Sequence, residues 1–309
     1  MTGFPADRSV LVVGDYYADL VFGGLPRWPE PGHEIFGTSF LTLPGGAFTH
    51  QRALHRLGVP VRWAAALGDD AYSALVLRAA ADEGLDTSAY RTHDRPVRNV
   101  SVALSHDGER GFVSHKDPVP PADASAAIRA HRPSCVLLTE LPTGETAGPL
   151  FAAARETGAA VVLDCQHIEA TLDDPAVAAT LPAVEVFLPN AAEARALTGR
   201  TRLDLALDAL ADVVPTVVIK NGREGALAAS GPQRVSVPAP AMAVVDTVGA
   251  GDCFDAGFVA GHLYGLGLRD SLRLAVLCGS LSVTGPGGTA APTLAEIRQH
   301  TPDLTPWAS

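Results

Sequence analysis

Short apolar runs alternate with alanine-rich stretches along most of the chain. The apolar runs have the length and composition of buried strands and lie at 10–13, 135–139, 160–164, 184–188 and 216–220. The alanine-rich stretches have helical periodicity and lie at 71–84, 123–131, 145–158, 173–181, 191–199 and 203–213. Strands that alternate with helices in this way predict a mainly parallel sheet with helices on both faces, a three-layer α/β/α fold.

Two regions interrupt this alternation. Residues 15–45 are rich in glycine, proline and aromatic side chains, and 36–43 can form a strand. Residues 97–116 alternate around Asp107-Gly108, which is a strong hairpin signal. We therefore expect a small β lid at one edge of the sheet, formed by about residues 15–45 and 95–117. Because no linker or repeat divides the chain, residues 1–309 are expected to form a single domain.

Charge and cysteine content narrow the class of protein. The chain of 309 residues has a net charge of −11 and only two lysines, Lys116 and Lys220, which argues against a nucleic-acid-binding surface. The four cysteines have neither zinc-ligand nor redox spacing, as expected of inert thiols in a reducing compartment. The chain begins without a secretory-signal pattern, and no apolar run is long enough to cross a bilayer. We expect a soluble, cytoplasmic protein that does not bind membranes.

The segment 243–261 carries the most specific chemistry. An apolar run is followed by a loop with two glycines, and a helical apolar pattern then begins near Asp252. The first N–H groups of a helix have no partner inside it and, together with the helix dipole, attract an anion such as phosphate. Gly249, Ala250 and Gly251 would let a phosphate approach the backbone closely. We therefore predict a phosphotransfer site at this loop.

Asp252 is the candidate base of this site. A carboxylate beside a phosphate can accept the proton of a hydroxyl that attacks phosphorus. With an ordinary aspartate pKa of about 3.9, Asp252 is expected to be ionised at pH 7. The alternative is an acidic residue that only stabilises the helix dipole, which contributes about 0.3–1 kcal/mol.

Five motifs of the chain resemble, in the same order, those of the ribokinase-like (PfkB-type) carbohydrate kinases. They are Gly45-Gly46 through Leu57-Gly58, Leu67-Gly-Asp-Asp70, Asn190-Ala-Ala-Glu193, Val217-Val-Ile-Lys-Asn-Gly-Arg-Glu-Gly225 and Asp246-Thr-Val-Gly-Ala-Gly-Asp252. The resemblance implies a ribokinase-like fold and an ATP-dependent kinase that transfers the γ-phosphoryl group to a hydroxymethyl group of a sugar. It also implies that Asp252 is the base and that residues 249–252 form the anion hole.

The resemblance further implies where ATP and Mg²⁺ bind. The residues that it assigns to the nucleotide are Asn190, Glu193, Lys220, Gly222, Gly225, Asp246 and Thr247. The segment Gly279–Pro292, which contains Gly285-Pro-Gly-Gly288, is expected to form the second wall of the nucleotide pocket. Asn190 and Glu193 would hold Mg²⁺ through water, although the same pair could form a capping box at a helix N-terminus. Asp246 could likewise only close its turn. A requirement for a monovalent cation is left open.

On the acceptor side, the resemblance assigns Asp19, Gly45, Gly46 and His50. The carboxylate of Asp19 would accept hydrogen bonds from two sugar hydroxyl groups at once. The chain departs from ribokinases at His50 and near Tyr17, where those enzymes carry asparagine, and at Leu141-Pro142, which lacks their glutamate. These departures make ribose itself a doubtful acceptor.

The identity of the acceptor therefore stays open. A sugar is expected, and a nucleoside is the main alternative. Arg98 and Arg110, near the hairpin, would suit a phosphosugar. A non-catalytic sugar-binding regulatory protein is a further alternative, but such a protein would be expected to lose the base or the anion hole. An exposed edge of the lid sheet would favour a homodimer.

Overall fold

The computed structural model describes residues 4–5, 7–107, 109–142, 146–166 and 170–304. These ranges contain the strands β1 (Val10–Val13), β2 (Tyr16–Gly23), β3 (Ser39–Gly46), β4 (Val61–Ala64), β5 (Ala66–Leu67), β6 (Arg91–Thr92), β7 (Asn99–His106), β8 (Glu109–Lys116), β9 (Cys135–Leu138), β10 (Ala160–Asp164), β11 (Val186–Leu188), β12 (Thr216–Lys220), β13 (Ala226–Ser230) and β14 (Gln233–Val237). They also contain the helices α1 (Ala47–Arg56), α2 (Ala71–Glu83), α3 (Ala124–His131), α4 (Ala147–Thr157), α5 (Pro175–Thr180), α6 (Ala191–Thr198), α7 (Leu203–Ala211), α8 (Ala250–Tyr264), α9 (Leu268–Ser282) and α10 (Leu294–His300).

Eight strands form the main sheet, in the order β14-β13-β12-β11-β10-β9-β1-β4. The six strands from β12 to β4 pair in parallel, and β13 and β14 extend the sheet antiparallel. All five apolar runs of the sequence form strands here, so the mainly parallel sheet is confirmed. The sequence did not predict β13, because its Ala-Leu-Ala-Ala-Ser segment lacks the β-branched side chains typical of strands.

Two hydrophobic cores lie on the two faces of the main sheet. Val10 and Val12 of β1 belong to the core that packs under α1, α8 and α9, and Leu11 belongs to the core under α3, α4 and α7. This division arises because successive side chains of a strand point to opposite faces. Helices therefore cover both faces, and the three-layer α/β/α arrangement is confirmed.

The helical stretches expected between the apolar runs correspond to α2 through α7, with ends that agree within two residues. Residue 145, the expected start of one stretch, lies outside the described residues. Asp70 caps α2 by accepting hydrogen bonds from the backbone of Tyr72 and Ser73, and Asp174 caps α5 in the same way. Among the helices of the described ranges, none is both long and apolar enough to cross a membrane.

A smaller sheet, in the order β3-β2-β7-β8, is built from the residues expected to form the lid. β7 and β8 form the expected hairpin, with His106 paired to Glu109, while Gly108 lies outside the described residues. β3 begins three residues later than the expected 36–43 strand, because it pairs with β2 from Ser39 to Gly46. Phe40 and Phe112 of this sheet are exposed; the expected homodimer stays a prediction.

All four cysteines are buried and free. Burial raises the pKa of the Cys253 thiol to about 12 and also raises the pKa values of Cys135, Cys165 and Cys278. The thiols are therefore protonated at neutral pH and shielded from reagents, as expected of inert cysteines.

Candidate active site

The loop before α8 depends on Gly249. Its φ of 77° lies in the left-handed region, which glycine adopts without a steric penalty. A Cβ built on Gly249 would lie 2.9 Å from the Cα of Gly288 and 3.3 Å from Cγ2 of Thr49. The loop-to-helix arrangement expected from the sequence is present. One N–H group of the expected anion hole already has a hydrogen-bond partner: the N–H of Ala250 donates to the carbonyl oxygen of Thr247 at 3.3 Å.

Asp252 lies in the first turn of α8, with 24% of its side chain exposed. Burial raises the pKa of this carboxyl group, although the neighbouring His50 and Lys220 oppose the shift. The ordinary pKa assumed from the sequence is therefore wrong, because a half-buried position in the fold penalises the charged form. A raised pKa makes the carboxylate a better proton acceptor.

Lys220 joins two carboxylates at the carboxyl edge of the main sheet. Its Nζ donates to Asp164 Oδ1 at 2.6 Å and to the Asp255 oxygens Oδ1 and Oδ2 at 3.1 and 3.0 Å. Asp164 ends β10, and Asp255 lies three residues after Asp252 on α8. Burial alone would lower the pKa of Lys220, but Asp164 and Asp255 outweigh burial and raise it. The ammonium group therefore stays charged.

His50 on α1 also lies close to these carboxylates. Its side chain is buried, and its Nε2 lies 3.4 Å from Asp255 Oδ2, 3.8 Å from Asp252 Oδ1 and 3.9 Å from Asp164 Oδ2. Burial alone would lower the pKa of His50, but Asp252 and Asp255 raise it to about 9. His50 therefore carries a positive charge beside Asp252 at neutral pH.

Sequence reasoning missed Asp164 and Asp255. The two residues are 91 positions apart in the chain, and only the fold brings them to one ammonium group. Signals were present in the sequence: Asp164 ends an apolar strand, and Asp255 lies at i+3 from Asp252, on the same side of the helix.

A cavity of about 520 Å³ opens beside the first turn of α8. Six of the residues expected at the nucleotide or the anion hole line it: Lys220, Gly222, Gly225, Thr247, Ala250 and Gly251. The expected second wall is present in part, since Gly279, Ser280 and Val283 line the cavity whereas residues 285–288 lie outside its lining. Asn190, Glu193 and Asp246 also lie outside this lining.

Asn190 and Glu193 form a complete capping box at the start of α6. Asn190 Oδ1 accepts from the N–H groups of Ala192 and Glu193 at 2.9 and 3.0 Å, and the Asn190 N–H donates to Glu193 Oε2 at 2.7 Å. Burial raises the pKa of Glu193 to about 7, although the Asn190 N–H and Lys220 oppose the shift. The capping alternative is thus confirmed. It engages Glu193 Oε2, and the second carboxylate oxygen, Oε1, is of the type that binds a hard cation.

Asp246 connects two loops. Its Oδ1 accepts from the N–H of Val248 at 3.0 Å, which closes the expected turn, and its Oδ2 accepts from the N–H of Gly287 at 2.8 Å. The second bond holds the loop before α8 against the segment 285–288. Asp246 thereby fixes the backbone around Gly249, even though its side chain lies outside the cavity lining.

Asp19 of β2 lies directly over Gly45 of β3. A Cβ built on Gly45 would come within 2.1 Å of Asp19 Oδ2, so the close approach requires glycine. Burial raises the pKa of Asp19 to about 7, and the nearby Asp252 and Asp246 add to this shift. A Cβ on Gly46 would lie 3.3 Å from Cδ2 of the Tyr17 ring. Asp19, Gly45 and Gly46 thus lie close together on β2 and β3, whereas His50 lies on α1, which follows β3 directly.

A second charged group at the base of the lid was not predicted. Lys116 at the end of β8 forms an ion pair with Asp15, and its Nζ lies 4.0 Å from Glu140 Oε1. Arg98, in contrast, is engaged elsewhere: its Nε donates to Asp117 Oδ2 at 2.8 Å. The side chain of Arg110 lies outside the described part of the chain.

The sequence of this chain matches a known protein family. The pfkB family carbohydrate kinases match residues 8–294. Ribokinase of Bacillus subtilis is 28% identical over 302 residues, which cover 94% of this chain and 99% of that enzyme. The aminoimidazole riboside kinase of Salmonella typhimurium is 29% identical over 312 residues, which cover 93% of this chain and 92% of that enzyme.

The fold agrees with the family match. The structure of Arabidopsis thaliana ribokinase complexed with ribose and ATP has a TM-score of 0.80 to this protein and is 23% identical in sequence. The superposition covers 97% of this chain and 99% of that one. With a family match that spans nearly the whole chain, the protein belongs to the pfkB family and is a carbohydrate kinase.

Proposed function

We propose that this kinase transfers the γ-phosphoryl group of ATP to a hydroxymethyl group of a sugar at the start of α8. The observation that carries the proposal is the position of Asp252. Its neighbours Ala250 and Gly251 line the cavity of about 520 Å³, while its own carboxylate lies 3.8 Å from Nε2 of His50 and is close enough to Asp19 of the lid sheet to raise the pKa of that residue. A base between a nucleotide-sized cavity and a polar acceptor region is what direct transfer from ATP to a hydroxyl group requires.

In the proposed reaction, Asp252 accepts the proton of the acceptor hydroxyl group. The hydroxyl oxygen forms a bond to the γ-phosphorus, the bond from that phosphorus to the β,γ-bridging oxygen breaks, and ADP leaves. The N–H groups of Gly251 and Asp252 stabilise the negative charge on the transferred phosphoryl oxygens. The Ala250 N–H contributes less, because it is shared with the carbonyl oxygen of Thr247.

On the nucleotide side, we propose that Lys220, Gly222, Gly225 and Thr247 bind ATP in the cavity that they line. Asn190 and Glu193 would hold Mg²⁺ through water, since their remaining oxygen lone pairs suit a cation that dehydrates reluctantly. The bound Mg²⁺ would neutralise part of the phosphate charge. Asp246 would keep the anion-hole backbone in place through its bond to Gly287.

On the acceptor side, we propose that Asp19 binds two sugar hydroxyl groups and that Gly45 and Gly46 leave room for the ring. His50 would hold the Asp252 carboxylate through the contact at 3.8 Å. Closure of the lid sheet over the acceptor would exclude water, which otherwise competes for the phosphoryl group.

A nucleoside acceptor is the second candidate. The observation that favours it is the Tyr17 ring, which lies beside Gly46 where a flat base could stack on it. A related enzyme of similar length, the aminoimidazole riboside kinase, acts on a riboside by its name.

The test is an ATP-coupled screen of sugars, nucleosides and sugar phosphates, made with the wild type and with Asp252→Asn. We expect turnover on a neutral sugar and a decrease in kcat of about 10²–10⁴ for the variant, the usual contribution of a general base. ATP binding should persist in the variant. Near-wild-type turnover by Asp252→Asn would remove Asp252 from the mechanism, and preferred turnover of nucleosides would favour the second candidate.

A further inference from the structure

Arg52 is a buried cation that the proposed reaction has not yet used. It lies on α1 and is 3% exposed. Its Nε and Nη2 atoms are buried and have no hydrogen-bond partner among the residues that the structure describes. Arginine side chains are rarely buried in this way unless they are paired, because an unpaired charge in the protein interior is unfavourable.

Arg56, one helical turn later, shows how the same helix satisfies an arginine. Its Nε donates to Glu83 Oε2 at 3.0 Å, and its Nη1 donates to the carbonyl oxygens of Thr289 and Ala291 at 2.8 Å. Both arginines approach the segment from Gly287 to Ala291. The fold therefore pairs one of them fully and leaves two nitrogen atoms of the other without a hydrogen-bond partner among the described residues.

The Arg52 guanidinium lies directly behind the anion hole. A Cβ built on Gly288 would be 2.8 Å from Nη2 of Arg52, and a Cβ built on Gly249 would be 2.9 Å from the backbone of Gly288. A single layer of backbone thus separates the guanidinium from the loop that begins α8. On its other side, the guanidinium carbon lies 5.3 Å from the centre of the Phe48 ring, which attracts a cation weakly.

The charge of Arg52 persists in this position. Burial lowers the pKa of the guanidinium, but arginine is not deprotonated in proteins. Two carboxylates, Glu83 and Asp252, favour the charged form of Arg52 through electrostatic attraction. Glu83, however, already forms an ion pair with Arg56. In a poorly screened interior, such a charge acts across a few ångströms.

We propose that Arg52 is a positioning residue that supplies a fixed positive charge behind the anion hole, and that this charge is compensated when the γ-phosphate of ATP arrives. The inference rests on the proposed site of phosphoryl transfer. In the free protein the guanidinium is a destabilising element, and its electrostatic interaction with the bound phosphate offsets part of that cost. The Arg52 charge thus lowers the stability of the free protein, but it is already in place when the phosphate binds, as is common at functional sites.

This proposal predicts opposite effects of Arg52→Met on stability and on activity. Methionine keeps an unbranched apolar side chain but removes the charged guanidinium group, and such replacements of buried ions are often neutral or stabilising. We expect the denaturation midpoint of the free protein to stay the same or to rise. We expect kcat/KM for ATP to fall by about 10-fold, less than the roughly 10²–10³-fold effect of removing a direct donor.

Binding measurements separate a charge effect from a packing effect. Calorimetric titration with ATP and with ADP, both with Mg²⁺ present, should show that Arg52→Met weakens ATP binding by about 10-fold and ADP binding much less, since only ATP carries the γ-phosphate. Arg52→Lys keeps the charge and should retain most of the preference for ATP. Arg56→Met is the matched control: it should lower the denaturation midpoint, because it leaves Glu83 and two carbonyl oxygens without their donor.

The proposal is wrong if Arg52→Met unfolds or loses stability as Arg56→Met does, or if it weakens ATP and ADP binding equally. The stability comparison does not depend on turnover. Failure of this inference can therefore be told apart from failure of the proposed reaction, which the Asp252→Asn screen reports.

Discussion

Two regions near Asp252 differ in character: the cavity beside the first turn of α8, and the lid side, which comprises Asp19, His50 and the lid sheet. The cavity is lined by glycines, apolar side chains and a few polar groups, with Lys220 at the sheet edge. The lid side concentrates ionisable groups whose pKa values are shifted: Asp19 to about 7 and His50 to about 9. The cavity is thus shaped mainly by the backbone, whereas the lid side is characterised by charged side chains.

The contrast indicates which residues determine the reaction and which determine the choice of acceptor. Glycines such as Gly249 are fixed by close backbone approaches, which leave little freedom for substitution. Side chains such as His50 and Tyr17 can change without altering the backbone beneath them. We infer that the chemistry of phosphoryl transfer resides on the backbone side, and that the acceptor is selected on the lid side.

The strongest test of this division is Gly249→Ala. The added Cβ would approach Gly288 to 2.9 Å, and alanine is strained at a φ of 77°. The displaced anion hole should lower kcat/KM by about 10²–10³-fold. The decrease should be the same for every acceptor, measured by initial rates on three or more substrates.

Gly158→Ala is the matched control for this change. Gly158, at the end of α4, has a φ of 75° and lies outside the cavity lining, and a Cβ there meets no atom within 4 Å among the described residues. It should therefore show only a small loss. If the two variants were equally impaired, or if Gly249→Ala affected one acceptor alone, the division would break down.

Asp19→Asn tests the lid side. Losing the charged hydrogen bonds to the acceptor, which contribute about 1.5–3 kcal/mol each, should raise KM for the acceptor by about 10–100-fold. KM for ATP should change little. In the wild type, Asp19 binds a proton as pH falls through about 7, so kcat/KM for the acceptor should decrease below pH 7, and this decrease should be weaker in the variant.

The same pKa shift has a consequence for stability. Because the folded protein holds the Asp19 proton up to about pH 7 whereas the unfolded chain releases it near pH 4, stability attributable to this group is lost as pH rises between these values. Asp19→Asn should therefore be more stable than the wild type at pH 8, with a smaller advantage at pH 4. If Asp19→Asn and the wild type were equally stable at pH 8 and at pH 4, the raised pKa of Asp19 would be wrong.

The smallest effect is expected at Asn190. Asn190→Ala removes the capping bond of α6 and should lower the free energy of unfolding by about 1 kcal/mol. Thr293→Ala is the matched control, since Thr293 and Glu296 form the same capping box at α10. Both variants should lose similar stability in urea denaturation, while only Asn190→Ala should raise the Mg²⁺ concentration needed for half-maximal activity.

If Thr293→Ala raised the Mg²⁺ requirement as well, the effect would come from stability alone. The cap would then be the whole role of Asn190.

The sequence predicted the mainly parallel sheet, helices α2 to α7 and the loop at Asp252, because these depend on local periodicity and on glycines at fixed spacing. It could not predict that Asp164, Asp255 and Lys220 meet, because their contact depends on the order of β10 and β12 in the sheet. Nor could it predict the raised pKa of Asp252, which burial in the folded protein causes. The sequence also could not predict the burial of Arg52, or that two of its nitrogen atoms lack hydrogen-bond partners among the described residues, because both depend on three-dimensional packing.

The four buried thiols make this chain convenient for spectroscopy. Because all of them are protected within the fold, a cysteine introduced at an exposed lid position such as Phe112 would be the preferred target of a maleimide dye or a spin label. A second label near α10 would then give a distance across the molecule. Any movement of the lid sheet relative to α10, including the closure proposed above, could be followed in a protein whose native cysteines need not be removed.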